Sequence, residues 1–494
     1  MKKIPGSLIH ATFAPQLMEA IGGVACKRGE VFYIAGGTVR DWLLGRVPHD
    51  LDIAVCKDAV ASCKMLIDVL EGGALVKLGT EEEEAARVVW QGVCVDFSTY
   101  RAGAKTIEEE LFHRDFTVNA MAVALDDGCG EGALIDPLGG YEDLVAQRLR
   151  RCPGAFDSDP LRMLRGYRLQ AELGFDLDEE CIAEIRHKRS TINGCAVERI
   201  TAELERIMST DLAAEAWTAM VESGLAFEFL PELEKGLGME QPGYHHEDVL
   251  YHSLLALKET DRILSGPRKY FQAGCGVIES YLARKSRCRR LRWSALFHDL
   301  AKPATRSSGT MDGERTTFYN HDRVGKDMFL EIAARLRMSR KESEGIGRLI
   351  DMHMHPFHLS TVRRRQELSR KALLKICRRA GEDLPGLFVL AMADSLASRG
   401  PKKPVKSMEE EVAMLFAEVQ RAKERYIEPV LAGGPLVNGH DLQKVFGLVP
   451  GPHFRRILDE VELAQVEGKI HSRRQALSWL ESYLRGHKEL RSGQ

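Results

Sequence analysis

Residues 31–55 read VFYIAGGTVRDWLLGRVPHDLDIAV, and the fold follows from how this stretch divides. Val31 to Ala35 is an apolar run of strand length, and Gly36 and Gly37 break it. Thr38 to Leu44 has helical spacing, with Val39 and Leu43 on one face. Gly45 ends that helix and Pro48 blocks its continuation. Asp50-Leu51-Asp52-Ile53-Ala54-Val55 then alternates as a second strand. Residues two apart on a strand share a face, so Asp50 and Asp52 project together while Leu51 and Ile53 enter the core. Neighbouring carboxylates repel, and one stays protonated unless a cation lies between them. Mg²⁺ suits the position, because it takes carboxylate oxygens and keeps sites for phosphate. Two such ions activate a hydroxyl and stabilise a departing pyrophosphate. Gly36 and Gly37 let the backbone approach a triphosphate, ahead of a helix N-terminus that favours anions. A lone Asp-x-Asp is most often a solvent-facing strand edge. Here it joins a Gly-Gly turn and a helix carrying Arg40-Asp41, and the combination points to nucleotidyl transfer. Asp50 and Asp52 are the catalytic, Mg²⁺-holding pair; Gly36, Gly37 and Arg40 belong to the nucleotide.

The segment GGTVRDWLLGRVPHDLDIAV resembles the head signature of the class II tRNA nucleotidyltransferase and bacterial poly(A) polymerase family. The expected fold is α+β: an N-terminal nucleotidyltransferase mixed sheet with helices, then an all-α neck, a helical body whose HD-type character rests on the histidines quoted below, and a helical tail. The expected boundaries are 1–148 for the head, 149–235 for the neck, 236–400 for the body and 401–494 for the RNA-binding tail. HRDFTVNAMAVAL (113–125) is similar to the family's RRDFTxNA block. By that resemblance Arg114 and Asp115 serve the phosphates and sugar of the nucleotide and Asn119 supports them, with His113 standing at the family's first Arg. The guanidinium fork suits phosphate, and a carboxylate can accept from a ribose hydroxyl. Taken alone, the block reads as a capping Asp with an ion-paired Arg. Asp96, in the strand VCVDFSTYR, is either a third metal ligand or a strand-end carboxylate. The stretch RAGAKTIEEELF that follows is shorter than the family's flexible loop at this place. By resemblance that loop matters for adding the final A, so its shortness favours an enzyme that adds only CC.

Asp159-Pro160-Leu161-Arg162 resembles the family's EDxxR block, with Ser158 in place of the Glu. The spacing predicts a helix with Pro160 in its first turn and Asp159 and Arg162 on one face. A carboxylate and a guanidinium so placed can mimic a Watson–Crick edge for ATP or CTP and mismatch G or U. The plainer reading makes Asp159 an N-cap. Arg165 either ion-pairs or contacts phosphate. GPHFRRIL near the C-terminus is similar to the family's tail and would place Arg455 and Arg456 at a helix start, on RNA phosphate or in simple packing.

His252, His298-Asp299, His321, His353 and Asp394 recur in the order H…HD…H…H…D. Imidazole and carboxylate suit Mn²⁺, Fe²⁺, Ni²⁺ or a similar transition ion, although a lone helical His is more often a satisfied core residue. The order resembles the HD phosphohydrolase superfamily. That implies a metal site, possible phosphatase or 2′,3′-cyclic phosphodiesterase chemistry, and a phosphate contact for Lys302. His245, His246, His355 and His358 rank as secondary. Basic runs at 286–292 and 362–379 read either as solvated helix faces or as phosphate contacts.

Composition sets outer limits. The 494 residues predict three or four domains. A net charge of −3 gives no global field toward nucleic acid. Eleven cysteines without a CxxC pair argue for reduced thiols and a cytoplasmic setting. The start MKKIPGSLIHATF lacks the apolar run of a signal peptide, and no stretch reaches transmembrane length. The family reading implies tRNA, CTP and ATP as partners and no membrane. It leaves oligomeric state open, and leaves CCA-adding, CC-adding, A-adding and poly(A) polymerase activities as rivals, with an HD phosphohydrolase as the alternative of a different class.

Overall fold

The computed structural model describes residues 3–4, 12–78, 85–125, 132–241, 247–309, 315–400, 407–487 and 490. His245, His246 and the PKKPVK stretch expected as a linker (401–406) lie outside the described residues. Two compact units divide the chain, 1–229 and 230–494.

The first unit opens with a mixed sheet. Its strands are β1 (Lys3–Ile4), β2 (Tyr33–Ala35), β3 (Asp50–Val55), β4 (Ala74–Leu78), β5 (Ala85–Trp90), β6 (Val93–Thr99), β7 (Ala122–Ala124) and β8 (Gly132–Ile135). They lie in the order β1-β8-β7-β2-β3-β6-β5-β4. β3 is central, antiparallel to β2 and parallel to β6. Leu51 and Ile53 are buried as the alternation requires. Helices Pro15–Arg28 and Ala59–Leu70 bring Leu17, Ile21, Val24, Cys63 and Leu66 to the same core cluster. The second of these starts where the Asp58 side chain accepts the Ala61 N–H at 2.7 Å, a cap that satisfies a free donor. Each fully buried large apolar side chain contributes about 1.5–3 kcal/mol, so one face of β3 is fixed and the other is left to chemistry.

Helices complete the unit. Leu161–Leu173 is its longest neck helix, with Met163, Leu164, Tyr167 and Leu169 buried. The short strand Arg148–Leu149 pairs in parallel with Asp176–Leu177. Among its described residues the second unit is helical apart from one antiparallel strand pair, Ser307–Gly309 with Arg315–Thr317. Helix Leu384–Ala397 runs through its centre, with Leu387, Phe388, Leu390 and Met392 buried. A separate cluster built on Ile457, Val461, Ala476, Leu480 and Leu484 forms the C-terminal core. Among the described residues no helix is long and apolar enough to cross a membrane.

Candidate functional site

The Gly-Gly turn and β3 are sewn together by Thr38. Its hydroxyl donates to the Asp50 carbonyl at 3.0 Å and accepts the Asp52 N–H at 2.9 Å. Gly36 has φ +72°, and a Cβ there would lie 2.6 Å from Arg114 Nη1 and 3.0 Å from Asp52 Oδ2. Only glycine fits that conformation and that space. The Gly37 N–H donates to Asp52 Oδ2 at 3.1 Å. Asp50 and Asp52 therefore flank the glycine turn, as their spacing requires.

Asp96 stands opposite Asp52 in the parallel β3–β6 register. Arg87 on β5 grips Asp96 through two contacts, 2.6 and 2.7 Å, and reaches Asp50 Oδ2 at 3.3 Å. Burial drives the Asp52 carboxyl up to about 6; Asp96 and Asp50 add to the rise, while Arg114 and the Gly37 N–H oppose it. Asp50 and Asp52, the second reluctant to ionise, form an oxygen donor pair that fits a hard divalent cation such as Mg²⁺, while Arg87 holds both Asp96 oxygens.

A chain of contacts leads away from this cluster. Arg40 donates to Asn119 Oδ1 at 2.8 Å and to Asp41 at 2.9 Å. Asn119 donates to Asp115 Oδ1 at 3.1 Å, the Phe116 N–H reaches the same oxygen at 2.8 Å, and Arg165 meets Asp115 Oδ2 at 2.8 Å. Burial pushes the Asp115 carboxyl up, but Arg165, the Asn119 hydrogen bond and Arg162 outweigh it and hold the group well below the usual range. Both Asp115 oxygens are engaged within the protein. Arg114 sits beside Asp52 with 11% of its side chain exposed.

The neck pair departs from its expected geometry. The helix begins at Leu161, and Asp159 lies ahead of it in extended backbone, φ −152°. The helical-face argument for Asp159 and Arg162 therefore fails, because Pro160 separates Asp159 from the first turn. Asp159 caps the Leu161 N–H at 3.1 Å and pairs with Arg199 at 2.7 Å. Arg162 is buried and donates to the Arg114 carbonyl at 3.1 Å and to Ser158 Oγ at 2.9 Å. The serine that replaces the family's glutamate thus has a partner.

In the second unit all six expected ligands converge. His252, His298 and Asp394 form one buried triad and Asp299, His321 and His353 another. His252 Nε2 lies 3.1 Å from Asp394 Oδ1 and 3.3 Å from His298 Nε2. His321 and His353 approach through their Nε2 atoms at 3.1 Å. The Nδ1 atoms of His298, His321 and His353 donate to the carbonyls of Ala295, Phe318 and Ile350 at 2.7–2.8 Å, which directs their Nε2 lone pairs inward. Asp299 lies 3.2–3.4 Å from His298, His252 and His321. Nitrogen lone pairs held this close fit a transition-metal cation, or a pair of them. Burial opposes protonation of His298, but Asp299 and Asp394 carry it up to about 8, whereas burial and its imidazole neighbours push His353 down to about 3. Lys302, also buried, meets Asp299 Oδ2 at 2.6 Å and Gln241 Oε1 at 2.5 Å.

Residues of the basic runs are ion-paired within the second unit. Arg290 pairs with Asp383 and Glu342, Arg292 with Asp261 and Arg287 with Glu382. In the second run Arg363, Arg364, Lys371, Arg378 and Arg379 pair with Glu418, Glu411, Glu460, Asp459 and Asp351. Their acidic partners are distant in sequence, which hid the pairing. Arg455 and Arg456 are exposed near the start of helix Pro452–Val466. Thr38, Arg87 and Glu110 are site residues that the sequence reading missed. For Arg87 a signal existed: β-alternation from Val88 places it on the carboxylate face.

Comparison with known proteins gives matches along the chain. Residues 32–150 match a model described as the poly A polymerase head domain. Residues 174–237 match the probable RNA and SrmB-binding site of polymerase A, and 411–480 a tRNA nucleotidyltransferase domain 2. The A-adding tRNA nucleotidyltransferase of Deinococcus radiodurans is 30% identical over 457 residues, 91% of this chain and 95% of that one. The CC-adding tRNA nucleotidyltransferase of Thermus thermophilus is 30% identical over 464 residues, 92% and 94% respectively. Among solved structures, the Thermotoga maritima CCA-adding enzyme complexed with tRNA shares the fold, with a TM-score of 0.62, 20% identity, and 98% of this chain and 100% of that one covered.

Proposed function

The chain belongs to the tRNA nucleotidyltransferase family, and from that premise we propose that it builds all or part of the tRNA 3′ CCA end from CTP and ATP at the Asp50–Asp52 cluster. The observation that carries the reading is the meeting of three carboxylates, a glycine turn that admits no side chain, and Arg114 within one small space. Mg²⁺ held by Asp50 and Asp52 would polarise the α-phosphate, lower the pKa of the tRNA 3′ hydroxyl and carry charge off with pyrophosphate.

The remaining roles fall to the chain itself. Gly36 and Gly37 admit the triphosphate to the backbone, and Arg114 meets its oxygens. Asp115 and Asn119 hold Arg165 and Arg40 around it. Asp159 and Arg162 read the base, and to do so they exchange Arg199 and the Arg114 carbonyl for the edge of cytosine or adenine. The desolvated pair would be left unsatisfied by G or U, which supplies discrimination. Residues 100–106 alone connect β6 to helix Ile107–Phe112, and this brevity favours an enzyme that stops after CC. Extension of tRNA transcripts lacking CCA, ending in CC, or complete, with CTP, ATP or both, tests the reading. Two cytidines added to the shortest substrate and no A thereafter is the expected result. Full CCA would overturn the CC limit, long A tracts would mark a poly(A) polymerase, and no incorporation would refute nucleotidyl transfer.

The converging triads in the second unit favour a second reading, a metal-dependent phosphohydrolase centre. Hydrolysis of a phosphate ester, including 2′,3′-cyclic ones, by the wild type but not by Asp299→Asn would support it. Absence of hydrolysis across Mn²⁺, Fe²⁺ and Ni²⁺ would oppose it.

A further inference from the structure

Glu110 is wholly buried, yet it lies at the edge of the nucleotide site. Its carboxylate accepts the Arg101 backbone N–H at 2.6 Å and the Arg101 Nη1 at 2.6 Å, and Arg114 Nη2 stands 3.7 Å away. One acid thus serves two guanidiniums, and Arg114 has Asp52 and Asp115 beside it as well. Arg114 points at the turn, with Nη1 against Gly36, which leaves Arg101 as the guanidinium paired with the shared Glu110. Arg101 is the more open of the two, with 31% of its side chain exposed against 11%. Arg101 also lies close enough to Arg114 and Arg162 to weaken the proton affinity of both, after the larger effect of their burial. Like charges gathered this way, partly desolvated, form a seat for an anion.

The backbone is bent to make the contact. Directly after Arg101 come Ala102 at φ +52° and Gly103 at φ +75°. A left-handed alanine is disfavoured, and such strain persists where surrounding contacts over-determine it. Here the contacts are those of Arg101 with Glu110.

We propose that Arg101 binds the triphosphate of the incoming nucleotide and that Glu110 is the residue that positions it. The proposal rests on the head being the CTP and ATP site. Arg101 donates from its free guanidinium edge to the outer phosphates, while Arg114 serves the phosphate nearest Gly36. The short connection after β6 then does more than span a gap, because it delivers a cation.

Equilibrium binding of CTP and of CMP, each with Mg²⁺, to the full-length wild type, Arg101→Ala, Arg101→Lys and Glu110→Gln is the test. A charge-assisted contact to the outer phosphates predicts about a tenfold or greater loss of CTP affinity in Arg101→Ala. CMP affinity should stay within about twofold, since CMP lacks those phosphates, and Arg101→Lys should recover part of the loss. Glu110→Gln should weaken CTP in the same sense. Because Arg101 is partly exposed, its alanine variant keeps the test open even if Glu110→Gln fails to fold. Unchanged CTP binding in Arg101→Ala, or equal loss for CTP and CMP, would overturn the proposal and leave the nucleotide site standing. Failure of the wild type to bind CTP would bring down the site and the proposal together.

Discussion

Asp52 is where burial and charge most directly oppose each other. Its carboxyl is pushed up to about 6 by burial and by Asp96 and Asp50, so in the metal-free protein it takes a proton in the range where a divalent cation competes for it. Above about pH 6 the carboxylate is free to ligate; below it, proton and cation exclude one another. The Mg²⁺ concentration needed for half-maximal CTP incorporation should therefore rise about tenfold per pH unit below 6 and level off above it. A flat profile between pH 5 and 7.5 would remove Asp52 from the ligand set. The pairing of Asp50 with Asp52 was legible from alternation alone. The Arg87 grip on Asp96 was not, because it depends on which strand lies beside β6, and one-dimensional spacing does not carry that.

At the level of elements, Asp115 joins the RDFT turn to helix Leu161–Leu173 through Arg165. Asp115→Ala leaves a guanidinium with a third of its side chain in solvent, so the cost should be about 2 kcal/mol rather than the full value of a buried pair. Urea denaturation measures it. The Asp115 carboxyl is held below its unfolded value. Its contribution is thus present above about pH 4 and fades as pH falls, and the gap between wild type and variant should narrow in acid. The basic runs make the opposite case. Arg364 and Arg378 are paired to Glu411 and Asp459, so their alanine variants should each lose no more than about 1 kcal/mol of stability. tRNA affinity and its salt dependence should stay unchanged. A shallower salt slope in filter binding would restore them as phosphate contacts. Sequence reading located these runs but not their partners, since ion pairs across 47 and 81 positions leave no local pattern. It erred on Asp159 for a related reason: spacing of three implies a shared face only if both residues are helical, and Asp159 precedes the helix.

Across the whole molecule, the head carboxylates lie in one compact unit and the histidine–aspartate triads in the other. The six residues expected as ligands in the second unit were legible from their order along the chain. Their convergence comes from helices that bury His252, His298 and His353 completely enough to deny them water. His298 is carried up to about 8 by Asp299 and Asp394 against its burial, so at pH 7 the metal-free cluster holds an imidazolium. Loading with Mn²⁺ or Ni²⁺ must expel that proton. Calorimetry in buffers of different ionisation enthalpy should show about one proton released at pH 7 and fewer above pH 8. Binding heat with no buffer dependence would mean that His298 is neutral before loading, and no binding heat would mean that the cluster takes no metal.

Nucleotide transfer is assigned to the head carboxylates, Asp50 and Asp52. Single-turnover incorporation of labelled CTP into tRNA lacking its CCA end tests it most directly, comparing wild type, Asp52→Asn and Asp299→Asn. Asp52→Asn should lose at least about a hundredfold in rate, roughly 2.7 kcal/mol of barrier, while it still binds CTP and Asp299→Asn incorporates at the wild-type rate. Incorporation surviving in Asp52→Asn, or lost in Asp299→Asn, would contradict the assignment.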